Sequence, residues 1–282
     1  MKNPFSSIDI HCWGGLGSQL FAANVAIEIQ QKYPQKNICL VLHSGGVTKR
    51  IPEIPEIFPN FHYEFIDDYT GSLSAVSSSK KILILFKKLL FKFFCILGLL
   101  ATLDNGNFHK IKFWTIAVRG HYSYCTISMN FLKSFYENLV KLVDDSIVFD
   151  IDSISIHYRL GDLLHLTEKG PIDVERIVQV LNCIRTKISY ANLDIYSDSP
   201  LEALRILSGA NLDIHFRIRD EPSSQLIFNC AQAKYFIGTS SKISFWIALV
   251  RSRILEKSSS LPNEKKMEFK LVTQAESLID FY

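Results

Sequence analysis

Between residues 154 and 251, strand-length apolar runs alternate with helix-patterned segments. This alternation restricts the fold more than any other feature of the chain. Residues 154–156 read as a strand, and 172–187 as a helix with apolar positions 174, 177, 178, 181 and 184 on one face. Strands at 193–196, 213–218 and 235–238 alternate with helices at 200–207, 223–233 and 240–251. Pro171 stands where a first helical turn needs no donor. Strands that return through helices lie parallel, so this half is expected to be a parallel sheet carrying helices.

The first half is less regular. A strand at 8–13 runs into a glycine-rich turn and a helix to about residue 33, and a second strand covers 38–42. A loop with Pro52, Pro55 and Pro59, a polar stretch at 72–79 and a very apolar segment at 82–103 follow. A strand at 114–118 and a helix at 129–143 come next, and 144–152 reads as a connection. Two domains, 1–150 and 151–282, are therefore expected, with a polar tail at 256–270 that is irregular at its start. Apolar residues make up 48% of the 282, enough for a sizeable core. A net charge of +3 argues against nucleic acid as a partner. The six cysteines are scattered and form no CxxC pair, so a zinc site is not expected and a reduced, cytoplasmic chain is. Residues 1–9 carry one Lys and no apolar core, unlike a signal peptide.

Two segments carry chemistry. Ser155-Ile156-His157-Tyr158-Arg159-Leu160-Gly161-Asp162 ends a strand with His, Arg, Gly and Asp within six residues. Arg offers fixed donors that match a phosphate at any working pH, and Gly lets backbone approach a ligand. Ligands of open α/β sheets bind at the carboxyl ends of strands, so this is a candidate diphosphate site. The bland reading is an Arg–Asp pair that only fixes a loop. Near the start, Gly14, Gly15, Gly17, Ser18 and Gln19 form a strand-to-helix turn whose free N–H groups could meet an anion or a sugar hydroxyl. It has neither the GxGxxG nor the P-loop spacing, and a plain tight turn would need the same small residues.

Taken with two later segments, these motifs resemble the bacterial α-1,2-fucosyltransferases, a glycosyltransferase family 11-like group. Gly14 to Phe21 (GGLGSQLF) is similar to the family's GG[LM]GNQ[LM]F, and HYRLGD at 157–162 to its HxRRGD. DIYSDSP at 194–200 is similar to the strand ending in an FSDD-like turn, and FIGTSSKISFW at 236–246 to an SxSSFSWW-like segment. The resemblance spans about residues 10 to 250. Ser18 replaces the usual Asn, Leu160 the second Arg, and Phe245-Trp246 a Trp pair. The resemblance implies an α/β, GT-B-like fold of two Rossmann-like domains facing a cleft, acceptor side first and nucleotide-sugar side second. It also implies an inverting transfer of L-fucose from GDP-fucose to a hydroxyl of a surface-polysaccharide (O-antigen-type) precursor, with no metal or other cofactor.

On this reading Arg159 stabilises the leaving diphosphate. His157 bonds the diphosphate or positions Arg159, Asp162 orients Arg159 or caps a helix, and Gly161 permits close approach. Ser197 and Asp198 bind ribose or a guanine edge, or cap the next helix. Ser240, Ser241 and Ser244 hold phosphate at a helix start, whereas Phe245 and Trp246 read as core. The glycine turn faces the donor across the cleft. The general base that an inverting reaction needs is open among His11, Asp162 and Glu168. Asp150-Ile151-Asp152 has DxD spacing but precedes its strand, and reads as a solvated connection. A glycosyltransferase with another donor, a non-catalytic nucleotide-sugar or glycan-binding relative, and a membrane-docked scaffold are the alternatives.

The apolar segment has its longest uncharged run at 93–103, too short to span a bilayer. On a helix Lys80, Lys81, Lys87, Lys88 and Lys92 share one face, as in a helix lying on an anionic membrane. A core helix with snorkelling lysines gives the same pattern. Peripheral contact with the inner face of the cytoplasmic membrane through 80–103, and a lipid-linked acceptor, are the corresponding expectations.

Overall fold

The computed structural model describes residues 5–45, 49–69, 78–103, 106, 108–143, 152–165, 170–185, 192–210, 215–263 and 268–272; of residues 78–85, 162, 165, 185, 263 and 268–272 it describes the backbone alone. The chain divides into two compact units, Met1–Phe131 and Leu132–Tyr282.

The first unit is built on five parallel strands in the order β3-β2-β1-β5-β4. They are β1 (Ser7–Trp13), β2 (Asn37–His43), β3 (His62–Ile66), β4 (Leu100–Thr102) and β5 (Ala117–Arg119). Helices α1 (Leu16–Lys32), α2 (Ile54–Ile57) and α3 (Ser78–Ile96) lie between them in sequence. β1 alternates: Ile8, Ile10 and Cys12 are buried, while Asp9, His11 and Trp13 point to the other face. α1 is buried on nearly every side, which its run of Ala, Val, Ile, Leu and Phe allows.

The second unit holds a six-stranded sheet ordered β11-β10-β9-β6-β7-β8. β6 (Ile154–His157), β7 (Leu193–Tyr196), β8 (Phe216–Arg219), β9 (Tyr235–Gly238) and β10 (Ser259–Asn263) run parallel, and β11 (Glu268–Val272) pairs antiparallel with β10. Helices α5 (Val174–Arg185), α6 (Pro200–Gly209), α7 (Ser223–Gln232) and α8 (Lys242–Arg253) connect them, and α4 (Met129–Leu142) spans the division between the units. The division precedes the 150/151 position expected from sequence, because the latter half of α4 belongs to the second core: Phe135 meets Trp246 edge-on at 5.8 Å. Both units are Rossmann-like. The core around β6 and β7 gathers Ile154, Ile156, Leu160, Ile177, Leu181 and Ile195.

Four differences from the sequence reading have physical causes. The apolar segment at 82–103 is two elements. Gly98, at φ 69, ends α3 in the left-handed conformation, and Leu99 N donates back to Phe94 O at 3.0 Å before β4 begins. The strand expected at 114–118 starts later, at Ala117, because Thr115 closes a turn by accepting from Lys112 N. β3 lies between the proline loop and the polar stretch, where no element was expected, and its Phe65 is exposed. The tail is irregular only over 256–258 and then forms β10, in which Ser259 and Leu261 are buried and Leu261 packs where Gly238 leaves room for no side chain.

Buried Arg251 ties this last region down. Its guanidinium donates to the carbonyls of Cys230, Ala231, Ala233, Lys234 and Ser258 and to Ser259 Oγ. Buried Asp194 on β7 likewise pairs with Arg217 and Arg219 of β8 at 2.8 and 3.0 Å.

Candidate functional site

In the second sheet the chain runs outward from β6 to β7 and β8, then crosses to β9 on the other side of β6. That reversal makes the carboxyl ends of β6 and β9 the place where such a sheet opens a crevice. Register sets His157 opposite both Tyr196 and Gly238, so the HYRLGD, YSDS and GTSS segments emerge side by side.

Side chains lace these loops together. Thr239 Oγ1 donates to His157 O at 2.9 Å and accepts from Arg159 N at 3.0 Å. Ser244 Oγ accepts from Thr239 N at 3.1 Å and shares a 2.7 Å hydrogen bond with His157 Nδ1. Asp198 Oδ1 accepts from Leu160 N at 2.8 Å and Gly161 N at 3.0 Å. A Cβ on Gly161 would overlap that carboxylate, so glycine is required there by Asp198 itself. Ser197 Oγ accepts from Ser199 N, and Ser241 Oγ caps α8 by accepting from Ile243 N. Thr239, Ser240, Ser241, Ser244, Leu261 and Pro262, with Phe245, line a small pocket at the start of α8.

The expected residues therefore fall into two groups. His157, Ser244 and Asp198 shape the edge: His157 is 5% exposed, and burial first, then the Arg159 charge, push its pKa down to about 3, which keeps it neutral. Arg159 and Ser240 are half-buried, and Ser240 is among the residues that line the pocket. Leu160 is fully buried in the sheet's core, so the position of the family's second arginine turns inward here. The side chain of Asp162 lies outside the described residues, as do Glu168, Asp150 and Ile151. Thr239, which joins β6 to β9, was missed in the sequence; its signal was a hydroxyl directly after the β9 strand.

In the first unit Gly14 takes φ 117 and Gly15 starts α1, accepting from Ser18 N at 2.8 Å. A Cβ on Gly14 would lie 2.7 Å from Ser18 Oγ. Gly17 is buried in the first turn of α1. Gln19, 3% exposed, spends its whole amide internally. Nε2 donates to Gly14 O and Ile51 O, and Oε1 accepts from Glu53 N and Ile54 N, all at 3.0–3.1 Å. It is a pin between two loops.

Beside this turn lies a cluster the sequence did not reveal. His11 Nδ1 meets His43 Nε2 at 2.9 Å, and His43 Nδ1 meets Asp68 Oδ2 at 2.8 Å. Asp68 also accepts from Gly45 N at 2.7 Å and Trp13 Nε1 at 3.3 Å. Trp13 stacks on His43 with centroids 3.9 Å apart, and the Arg119 guanidinium lies 5.6 Å from the Trp13 ring. Burial, Arg119 and His43 lower the pKa of His11 to about 4. Burial works against the Asp68 carboxylate, but the bonds from His43, Gly45 and Trp13 hold its pKa below the usual range.

No protein-family model and no curated protein matches the chain. Solved structures do. A POFUT1 crystal structure in complex with GDP is 10% identical over 92% of this chain and 99% of its own, at a TM-score of 0.47. The E. coli heptosyltransferase WaaC with ADP-2-deoxy-2-fluoro heptose is 12% identical over 91% of this chain and 88% of its own, at 0.46. A glycosyl transferase family 9 protein from Veillonella parvula DSM 2008 is 10% identical over 89% of this chain and 80% of its own, also at 0.46.

Proposed function

We propose that this chain is an inverting glycosyltransferase that moves L-fucose from GDP-fucose to a hydroxyl of a surface-polysaccharide precursor, with α-1,2 linkage and without a metal. The observation that carries the reading is the meeting of three motif segments at the carboxyl ends of β6, β7 and β9, with Arg159 and the hydroxyl-lined start of α8 at one edge. Departure of a nucleoside diphosphate develops negative charge, which Arg159 and the α8 N–H groups would meet. Asp198 and Thr239 hold the Arg159 loop in place, and neutral His157 adds no competing charge.

Buried Leu160 favours a second reading, the same chemistry with another nucleotide-sugar, because only one arginine of the family's pair reaches the edge. Binding without transfer would make the chain a nucleotide-sugar-binding relative.

Membrane docking belongs to the same proposal. On α3, Phe86, Leu89, Leu90, Phe93 and Ile96 are all exposed and fall within about 120° of one helix face, and exposed Leu97 follows directly after the helix. Lys87, Lys88 and Lys92 occupy the rest of the exposed surface, the pattern of a helix on an anionic bilayer; the side chains of Lys80 and Lys81 lie outside the described residues. Among the described residues no helix is long and apolar enough to cross a membrane.

Calorimetry with GDP, UDP, CMP and GDP-fucose, with and without EDTA, tests the donor. GDP binding that ignores EDTA and collapses in Arg159→Ala is expected, whereas binding of UDP in place of GDP would transfer the argument to another donor.

A further inference from the structure

His11 lies near the end of β1, two residues before Trp13, His43 ends β2 and Asp68 follows β3, where that sheet also reverses: β1 lies between β2 and β5, and the chain crosses from one side to the other after β3. Their hydrogen bonds fix a proton order. Asp68 as a carboxylate can only accept, so His43 Nδ1 must donate to it. A neutral His43 then has its lone pair on Nε2, and the 2.9 Å contact requires His11 Nδ1 to donate. The lone pair of His11 is thereby left on Nε2. His11 is partly exposed and stands three residues before the Gly14–Gly15 turn.

We infer that this edge is a hydroxyl-activating acceptor site in which His11 Nε2 is the general base and His43 and Asp68 are its positioning residues. The inference rests on the transferase reading and names a part of that reaction which the motif segments leave unassigned. As the hydroxyl oxygen of the acceptor sugar bonds to the anomeric carbon, the carbon–oxygen bond to the nucleoside diphosphate breaks and its electron pair leaves with the diphosphate. The hydroxyl proton goes to His11 Nε2, and the proton on His11 Nδ1 moves to His43 Nε2. The positive charge then rests on His43 beside Asp68, away from Arg119, which disfavours it on His11. The charged groups facing His11 are Arg119 from β5, His43 from β2 and, through His43, Asp68 after β3. Trp13, stacked on His43 and donating to Asp68, fixes the ring plane.

The full-length protein tests this with His11→Ala, His43→Ala and Asp68→Asn. GDP affinity should stay within about threefold in each, since the donor motifs lie in the other unit, while kcat for transfer falls about 100-fold in His11→Ala. In Asp68→Asn kcat should fall less and the acid limb of the pH–rate profile should move to lower pH, because the carboxylate that favours the protonated pair is gone. Imidazole nitrogen spectra of the unmutated protein need no variant and should show the Nδ1–H tautomer for both histidines. Transfer at full rate with an unchanged acid limb in His11→Ala, or an Nε2–H tautomer at His11, would overturn the relay alone. An unmutated protein that neither binds GDP nor transfers sugar would overturn the transferase reading beneath it.

Discussion

The two sheets end in functional-looking edges of opposite construction. The edge of the second unit is assembled from contiguous segments: 157–161, 197–198 and 239–244 each bring several groups together. The edge of the first unit is assembled from single residues, His11, His43 and Asp68, one per strand end. A short segment can be recognised in a sequence because its spacing is its geometry. A relay built one residue per strand leaves no local pattern, since only the sheet register brings its members into contact.

The sharpest way to break this contrast is Arg159→Ala. Transfer should fall by about 100- to 1000-fold in kcat, as when one preorganised charge donor is lost, with melting temperature nearly unchanged because the group is only half-buried. A larger loss of stability than of activity would make Arg159 a scaffold residue. Next comes Leu160→Arg, which restores the family's second arginine in sequence but places a charge in the core. It should destabilise the protein by about 3 kcal/mol or more, read as a lower urea midpoint, and should not tighten GDP binding. Gln19→Ala tests the other edge. It strands two buried N–H groups and two carbonyls, and should cost about 2 kcal/mol without changing GDP affinity.

Acid should act through His157 and His11. The pKa of folded His157 is about 3 against an ordinary 6.5, so below pH 6.5 the unfolded chain takes up a proton that the folded chain refuses. Stability should be full above pH 6.5 and decline towards pH 3, by at most about 1.4 kcal/mol per pH unit. His11 adds a parallel loss between 6.5 and about 4. Urea midpoints at pH 7, 5.5 and 4.5 in wild type and His157→Asn check the sign.

Much of the second unit was legible before any coordinates, because apolar runs alternating with 3.6-residue periodicity leave few arrangements beyond a parallel sheet. The meeting of the motif segments was legible and the work of their side chains less so. HYRLGD leaves β6 beside the ends of β7 and β9, yet His157 and Asp198 hold loops there, which only burial and hydrogen-bond partners reveal. β10 escaped notice because Pro262 and a polar neighbourhood mask the alternation of buried Ser259 and Leu261. The His11–His43–Asp68 chain escaped because positions 11, 43 and 68 have no relation in sequence.

The anchoring of Arg251 carries a consequence for where the protein may be shortened. Its guanidinium reaches acceptors at the end of α7 and, beyond its own helix, at Ser258 and Ser259. The stretch after α8 is therefore a clasp that closes the domain from its carboxyl side. Cutting the chain at residue 256 would leave a buried cation short of partners. Such a truncated protein should be far more susceptible to protease than the intact one, and a fragment as resistant as the full chain would show that the clasp is dispensable.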